Sequence, residues 1–159
     1  MRVLDASAIL YAWDNYPLDQ FPGLWRWLGS EVRTHELAIA MVALEEVGHK
    51  APECARWLKS AGVLRLPMSE AVVKAAVAIK QDIGVVNDRY HAKGVDENDI
   101  FIIASAKVHG AELITTEARQ FGAQLETRKY KIPAVCDMPI VDVANMNFLE
   151  YLQKSKQVF

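Results

Sequence analysis

Ile100-Phe101-Ile102-Ile103-Ala104-Ser105-Ala106-Lys107-Val108 runs straight into His109-Gly110-Ala111-Glu112-Leu113-Ile114-Thr115-Thr116-Glu117. The first nine residues are apolar almost all round, with Ser105 and Lys107 as the exceptions. A helix of that composition is buried centrally rather than laid on a surface. Asp96-Glu97-Asn98-Asp99 stand before it. Acids in a first turn meet the positive end of the helix dipole. Gly110 stops the helix, Leu113-Ile114-Thr115 reads as a short strand, and Glu117 lies two residues beyond it.

Short strands and helices also alternate on either side of this stretch. Val3-Leu4 is a strand that closes on Asp5, followed by helical character from Ser7 to Asp14. Pro17 breaks that helix, and Pro22 suits the first turn of the next. The second helix carries Leu24, Trp25, Trp27, Leu28 and Val32, with Gly29 and Ser30 weakening its middle. Leu37 to Ala40 reads as a strand and Val42 to Lys50 as a helix. Pro52 opens another helix, which Gly62 stops, and Val63 to Leu66 is a further strand. Ser69 is the expected N-cap of a helix reaching Gly84. Residues 85–95 lack periodicity and read as a surface loop, a kind of segment that is often functional. Near the end, Ile140 to Val143 reads as a strand and Phe148 to Lys154 as the last helix. Short strands alternating with helices predict an α/β fold: a mostly parallel sheet with helices on both faces. No linker or repeat interrupts the 159 residues, so a single domain over 1–159 is expected.

Bulk chemistry narrows the function. Net charge is −2 and the pI is near 6.1. A dedicated sequence-reading DNA-binding module is usually basic, whereas a carboxylate-rich nuclease is not excluded. Cys54 and Cys136 show no metal or redox spacing and read as reduced thiols. Met1-Arg2-Val3-Leu4-Asp5 reaches a carboxylate too soon for a signal peptide. No window approaches the roughly 20 apolar residues of a membrane span. A cytoplasmic location with no membrane contact is expected.

In open α/β sheets, ligands bind beyond the carboxyl ends of strands. Asp5 and Glu117 occupy such ends, Asp99 begins the buried helix with Asp96 one turn before it, and Glu45 and Glu46 lie on the helix after the second strand. Crowded carboxylates raise one another's pKa, and a divalent cation relieves this. Hard oxygen ligands suit Mg²⁺ or Mn²⁺. Such ions can activate water and stabilise the leaving oxygen in phosphodiester cleavage. Each acid also has a plain structural reading. Asp5, Asp96 or Asp99 could cap helices, Glu45 and Glu46 could be solvated, and Glu117 could be an ordinary loop acid. Chemistry through an aspartyl nucleophile would want a second Asp two residues after the first, where this chain has Ser7.

Three motifs together resemble the PIN-domain ribonuclease family. Val3-Leu4-Asp5-Ala6-Ser7 resembles its strand ending in Asp-x-Ser/Thr. Asp99 to Ala106 resembles its Asp-x-x-Ile-x-Ala-x-Ala helix, and His109 to Glu117 its His-Gly-Ala-x-Leu-Val-Thr-x-Asp segment. The matches keep the family's order and span most of the chain. The resemblance implies a three-layer α/β/α fold and metal ligation by Asp5, Glu46, Asp99 and Glu117. Asp96 is implied as an accessory ligand, and Ser7 and Thr115 as supports. Glu46-Val47 fits the family's Glu followed by an aliphatic residue, whereas Glu45 is followed by Glu. Glu117 stands where the family often has Asp, and its extra methylene implies ligation through water or none. Trp13 to Pro17, Phe21 to Trp25 and Lys93 to Asp99 resemble a bacterial branch of PIN-like proteins. For this size of chain the resemblance implies an RNA substrate, a homodimer and a small antitoxin, as in type II toxin–antitoxin pairs. The alternative is a catalytically inactive PIN-like module that binds RNA or protein.

Other residues have milder readings. Trp25 and Trp57 fall on inward faces and read as packing, while Trp13 is the tryptophan left over for a partner. Arg89 and Lys93, with His91 between them, are candidate substrate-binding residues for phosphate oxygens. Arg128-Lys129-Tyr130-Lys131 reads as a surface face, and His49 and His109 as residues at helix ends.

Overall fold

β1 (Arg2–Leu4) lies in the middle of a five-stranded sheet ordered β3-β2-β1-β4-β5, with every neighbour parallel. The structure, a computed structural model, describes residues 1–121 and 126–159. β2 (Leu37–Ala40), β3 (Leu64–Leu66), β4 (Glu112–Ile114) and β5 (Asn145–Met146) complete the sheet. Val3 stands opposite Ala38 on one side and Leu113 on the other. Val3, Ala38 and Leu113 are fully buried. Strands covered on both faces read as continuous apolar runs, which is why Leu37-Ala38-Ile39-Ala40 has no polar alternation.

Helices α1 (Ala6–Asn15), α2 (Pro22–Arg33), α3 (Met41–Lys50), α4 (Pro52–Ser60), α5 (Glu70–Asp82), α6 (Glu97–Val108), α7 (Ile132–Cys136) and α8 (Phe148–Ser155) flank the sheet. α6 packs on β1, β2 and β4 and is wrapped by α3, α5 and α7. Its Ile100, Ile102, Ile103, Ala104 and Ala106 are fully buried, as its composition predicted. Ser105 is buried too, with its hydroxyl donating to the Phe101 carbonyl at 2.8 Å. Among the described residues no helix is long and apolar enough to cross a membrane.

Two local expectations need adjusting. Gly29 and Ser30 do not interrupt α2, which runs unbroken to Arg33. A Cβ at Gly29 would make ordinary contact with the Arg33 guanidinium at 3.4 Å and the Trp57 ring at 3.7 Å. The strand expected at Ile140 to Val143 is instead a turn. The amides of Val141 and Asp142 both donate to the Met138 carbonyl, and Asp142 has a φ of 48°. Val141 and Val143 are buried as core, which gives the segment its strand-like apolar pattern. The edge of the sheet is taken by β5, where the Thr115 amide donates to the Met146 carbonyl at 2.9 Å.

The tryptophans form packing rather than a free face. Trp25 meets Trp13 edge-on at 5.3 Å and Trp57 edge-on at 4.8 Å, and its indole N–H donates to the Tyr16 carbonyl at 2.7 Å. Trp13 is therefore half-buried against Trp25 rather than free.

Candidate metal centre

Asp5 occupies the N-cap position of α1, yet its side chain does not cap the helix. It is 3% exposed and turned toward β4. Its Oδ2 accepts from the Ser7 hydroxyl and from Thr115 Oγ1, the latter at 2.9 Å. The amide of Thr116 donates to Ser7 Oγ at 2.9 Å, and that of Glu117 to Thr115 Oγ1 at 3.3 Å. Two hydroxyls, themselves fixed by backbone, thus hold one oxygen of Asp5. Both side-chain hydrogen bonds land on Oδ2, leaving Oδ1 to other partners. Burial pushes the Asp5 carboxyl above its usual range; the two hydroxyls oppose this, and the charges of Glu117 and Glu46 add to it.

Asp99 and Asp96 form a reciprocal cap on α6. The Asp99 amide donates to Asp96 Oδ1 and the Asp96 amide to Asp99 Oδ2, both at 2.9 Å. The sequence left capping and site membership open for these acids, and the cap is real. Asp96 is exposed and spends one oxygen on it. Asp99 is half-buried, and its pKa is pushed up to about 8, chiefly by burial. The charges of Asp96, Glu117 and Asp5 raise it further, against the hydrogen bond from the Asp96 amide. A capping acid with an ordinary environment would not behave so.

Glu46 is half-buried and contributes to the field at Asp5, whereas Glu45 is exposed. Glu46 Oε1 lies 2.5 Å from Lys50 Nζ, one turn along α3. Lys50 is the residue that sequence reasoning missed. Glu46 raises its pKa first, and the charges of Asp5 and Asp99 add to this. The available signal was the Glu-to-Lys spacing of four on one helix face.

Glu117 has a second occupation. Its Oε2 accepts from the Ile132 amide at 2.9 Å, at the start of α7. Gln120 stitches the same two segments, accepting from the Lys131 amide at 2.8 Å and donating to the Lys129 carbonyl at 3.0 Å. The two basic clusters also come together. The Val95 amide donates to the Tyr130 carbonyl at 2.9 Å, and a Cβ on Gly94 would come within 2.0 Å of the Arg128 carbonyl oxygen. Loop 85–95 and residues 128–131 are therefore one packed edge, with Arg89, Lys93 and Arg128 exposed along it. His109 sits at the C-cap of α6 beside the Ser105 carbonyl, and His49 in the last turn of α3.

Among the described residues, no group of three or more acid, histidine or cysteine side chains is placed to hold a metal ion. Mg²⁺ does not require one, since it keeps several waters and commonly uses one or two carboxylates. Oxygen-only donors, one buried carboxylate with a free oxygen and a second held near a pKa of 8 suit such an ion.

The five parallel strands and the helices that flank them make a PIN-like fold. A crystal structure of VapBC2 from Rickettsia felis bound to a DNA fragment from their promoter is similar to it, with a TM-score of 0.57. Sequence identity is 15%, over 92% of this chain and 97% of that one, so the likeness is one of fold. The chain belongs to the family described as "Domain of unknown function (DUF4411)", which matches residues 3–159. No match was found among curated proteins.

Proposed function

We propose that this chain is a metal-dependent ribonuclease that hydrolyses RNA phosphodiester bonds with Mg²⁺ or Mn²⁺. The observation that carries the reading is Asp5: a carboxylate buried at the end of the central strand, held by two hydroxyls and surrounded by three further acids. A structural role gives little reason to bury a carboxyl group there beside other acids. Asp5 and Asp99 are the proposed direct ligands, with Glu46, Glu117 and Asp96 reaching the ion themselves or through water. The bound ion would supply an activated water and neutralise the leaving oxygen. Ser7 and Thr115 orient Asp5. Lys50, Arg89 and Lys93 offer positive charge to the RNA backbone.

The similarity in fold to a VapBC2 complex, added to the motif resemblance, supports a further reading as the toxin of a type II toxin–antitoxin pair. In that reading a small antitoxin is the partner and the chain is a homodimer. The test is Mn²⁺-dependent cleavage of RNA by purified protein. Asp5→Asn should abolish it, and unchanged cleavage by that variant would sink the assignment.

One observation favours the alternative of a PIN-like binding module without catalysis: Glu117 already serves the Ile132 amide. Calorimetric titration separates the two. The nuclease binds Mn²⁺ and loses that binding in Asp5→Asn, whereas the inactive module binds Mn²⁺ weakly in both forms.

A further inference from the structure

Two ion pairs of the same spacing differ sharply in setting. On α5, Lys74 Nζ lies 2.7 Å from Glu70 Oε1, and the Glu70 side chain is 83% exposed. That is a solvated helix pair of small consequence. On α3, Lys50 Nζ lies 2.5 Å from Glu46 Oε1, and the Glu46 side chain is only 28% exposed. Glu46 is turned in far enough for its charge to reach Asp5.

The helix that carries this pair packs against α1 and α6, whose N-terminal ends hold Asp5 and Asp99. The Lys50 ammonium therefore stands beside the acids. Glu46 holds it, and the charges of Asp5 and Asp99 both act on it. Among the described residues, it is the one cation in an ion pair with any of Asp5, Glu46, Asp96, Asp99 and Glu117. An ammonium has three N–H donors. Glu46 takes one, and the Lys50 side chain is 60% exposed, so two remain for an incoming group.

The acids themselves are poorly arranged for two metal ions. Two-metal centres keep their ions about 3.5–4 Å apart, with ligands gathered around both. Among the described residues no group of three or more acids, histidines or cysteines is gathered in that way. The carboxylate on α3 is moreover already neutralised by a cation of this chain's own.

We propose that Lys50 is the resident second cation of this centre: it stands in for a second metal ion, limits the chain to one Mg²⁺ or Mn²⁺, and holds a non-bridging oxygen of the RNA phosphate. Lysine suits the task, being a compact point charge that binds phosphate without a fixed fork geometry. The proposal rests on the ribonuclease reading for the phosphate, but not for the limit on metal.

Calorimetry with Mn²⁺ alone, followed by RNA cleavage, tests both parts. The wild type should bind one Mn²⁺ per chain. Lys50→Met keeps the reach of the side chain and removes its charge. Mn²⁺ should then bind about fivefold tighter or more, because a like charge is gone and Glu46 is released. Cleavage at saturating Mn²⁺ should instead fall about tenfold or more, the scale of one charge-assisted hydrogen bond. Lys50→Arg keeps the charge and should bind Mn²⁺ as the wild type does. A pair that only stabilises α3 would move the melting temperature and leave metal affinity alone. Lys50 lies in the exposed last turn of α3, so both variants should fold, which a thermal melt checks. Two Mn²⁺ per wild-type chain, Mn²⁺ affinity unmoved by Lys50→Met, or cleavage unmoved by it overturns the resident cation, and a wild type that still cleaves RNA spares the nuclease. Tighter Mn²⁺ binding in Lys50→Met without any RNA cleavage by the wild type keeps the resident cation and overturns the nuclease. No Mn²⁺ binding by either chain overturns both.

Discussion

At the carboxyl ends of β1 and β4 the chain buries a carboxylate; between α1, α2 and α4 it buries tryptophans. Asp5 and Trp25 are equally withdrawn, at 3% exposure each. Their surroundings differ in kind. Trp25 has aromatic edges at 5.3 and 4.8 Å and a satisfied indole N–H, so every contact favours the folded state. Asp5 has two hydroxyl donors, no paired cation among the described residues and the repulsion of Glu117 and Glu46. The first region is built for stability. The second carries a cost that a proton relieves, as a bound cation would.

The comparison is most exposed to paired substitutions. Trp25→Ala should lower unfolding free energy by about 3–5 kcal/mol in urea titrations, the usual effect of emptying a large aromatic site. Next, Asp5→Asn should reduce Mn²⁺-dependent RNA cleavage by about 100-fold or more while leaving the melting temperature equal or higher. A stability loss in Asp5→Asn as large as that of Trp25→Ala would break the contrast, because the carboxylate would then be structural.

Titration sharpens the same contrast. The Asp99 pKa rises from 3.8 to about 8 on folding, so over that window the folded state holds a proton that the unfolded chain has lost. Stability present at low pH is therefore lost as pH climbs toward about 8 in metal-free buffer. Asp5 pulls in the same direction. Thermal melts should show this decline, Asp99→Asn should flatten it, and Mg²⁺ or Mn²⁺ should offset it most at the alkaline end. A metal-free melting temperature that rises from pH 5 to 7.5 would contradict the assignment. The smallest effect is expected at the basic edge. Replacing Arg89 and Lys93 together by Ala should weaken RNA binding several-fold and reduce its salt dependence by about two ions. An unaltered salt slope would remove these two residues from the interface.

The positions of the candidate acids could be read from the chain because they sit at element ends. Asp5 closes an apolar run, and Asp99 opens a helix too apolar to be anywhere but the centre. The aliphatic residue after it favours Glu46 over Glu45, and Glu46 is the less exposed of the two. What escaped depended on contacts between segments distant in sequence. Glu117 is tied to an amide fifteen residues away, on a helix of only five residues that leaves little periodic trace. Val141 and Val143 imitate a strand because core turns bury the same residues as core strands do. The real edge strand, Asn145–Met146, is too short to show any alternation. Gly94 gave no sign of the Arg128 carbonyl that it admits.

The hydrogen bond from Thr115 to Asp5 joins residues 110 positions apart, and β1 is paired on that side only by β4. A ribosome adds about 5–20 residues each second, so roughly 5–20 s separate the emergence of the two partners. Through that interval Asp5 lacks its Thr115 support, and neither Asp99 nor Glu117 has arrived until its end. Any activity that needs these acids together therefore waits until after Glu117 has been added, well into the chain's own synthesis.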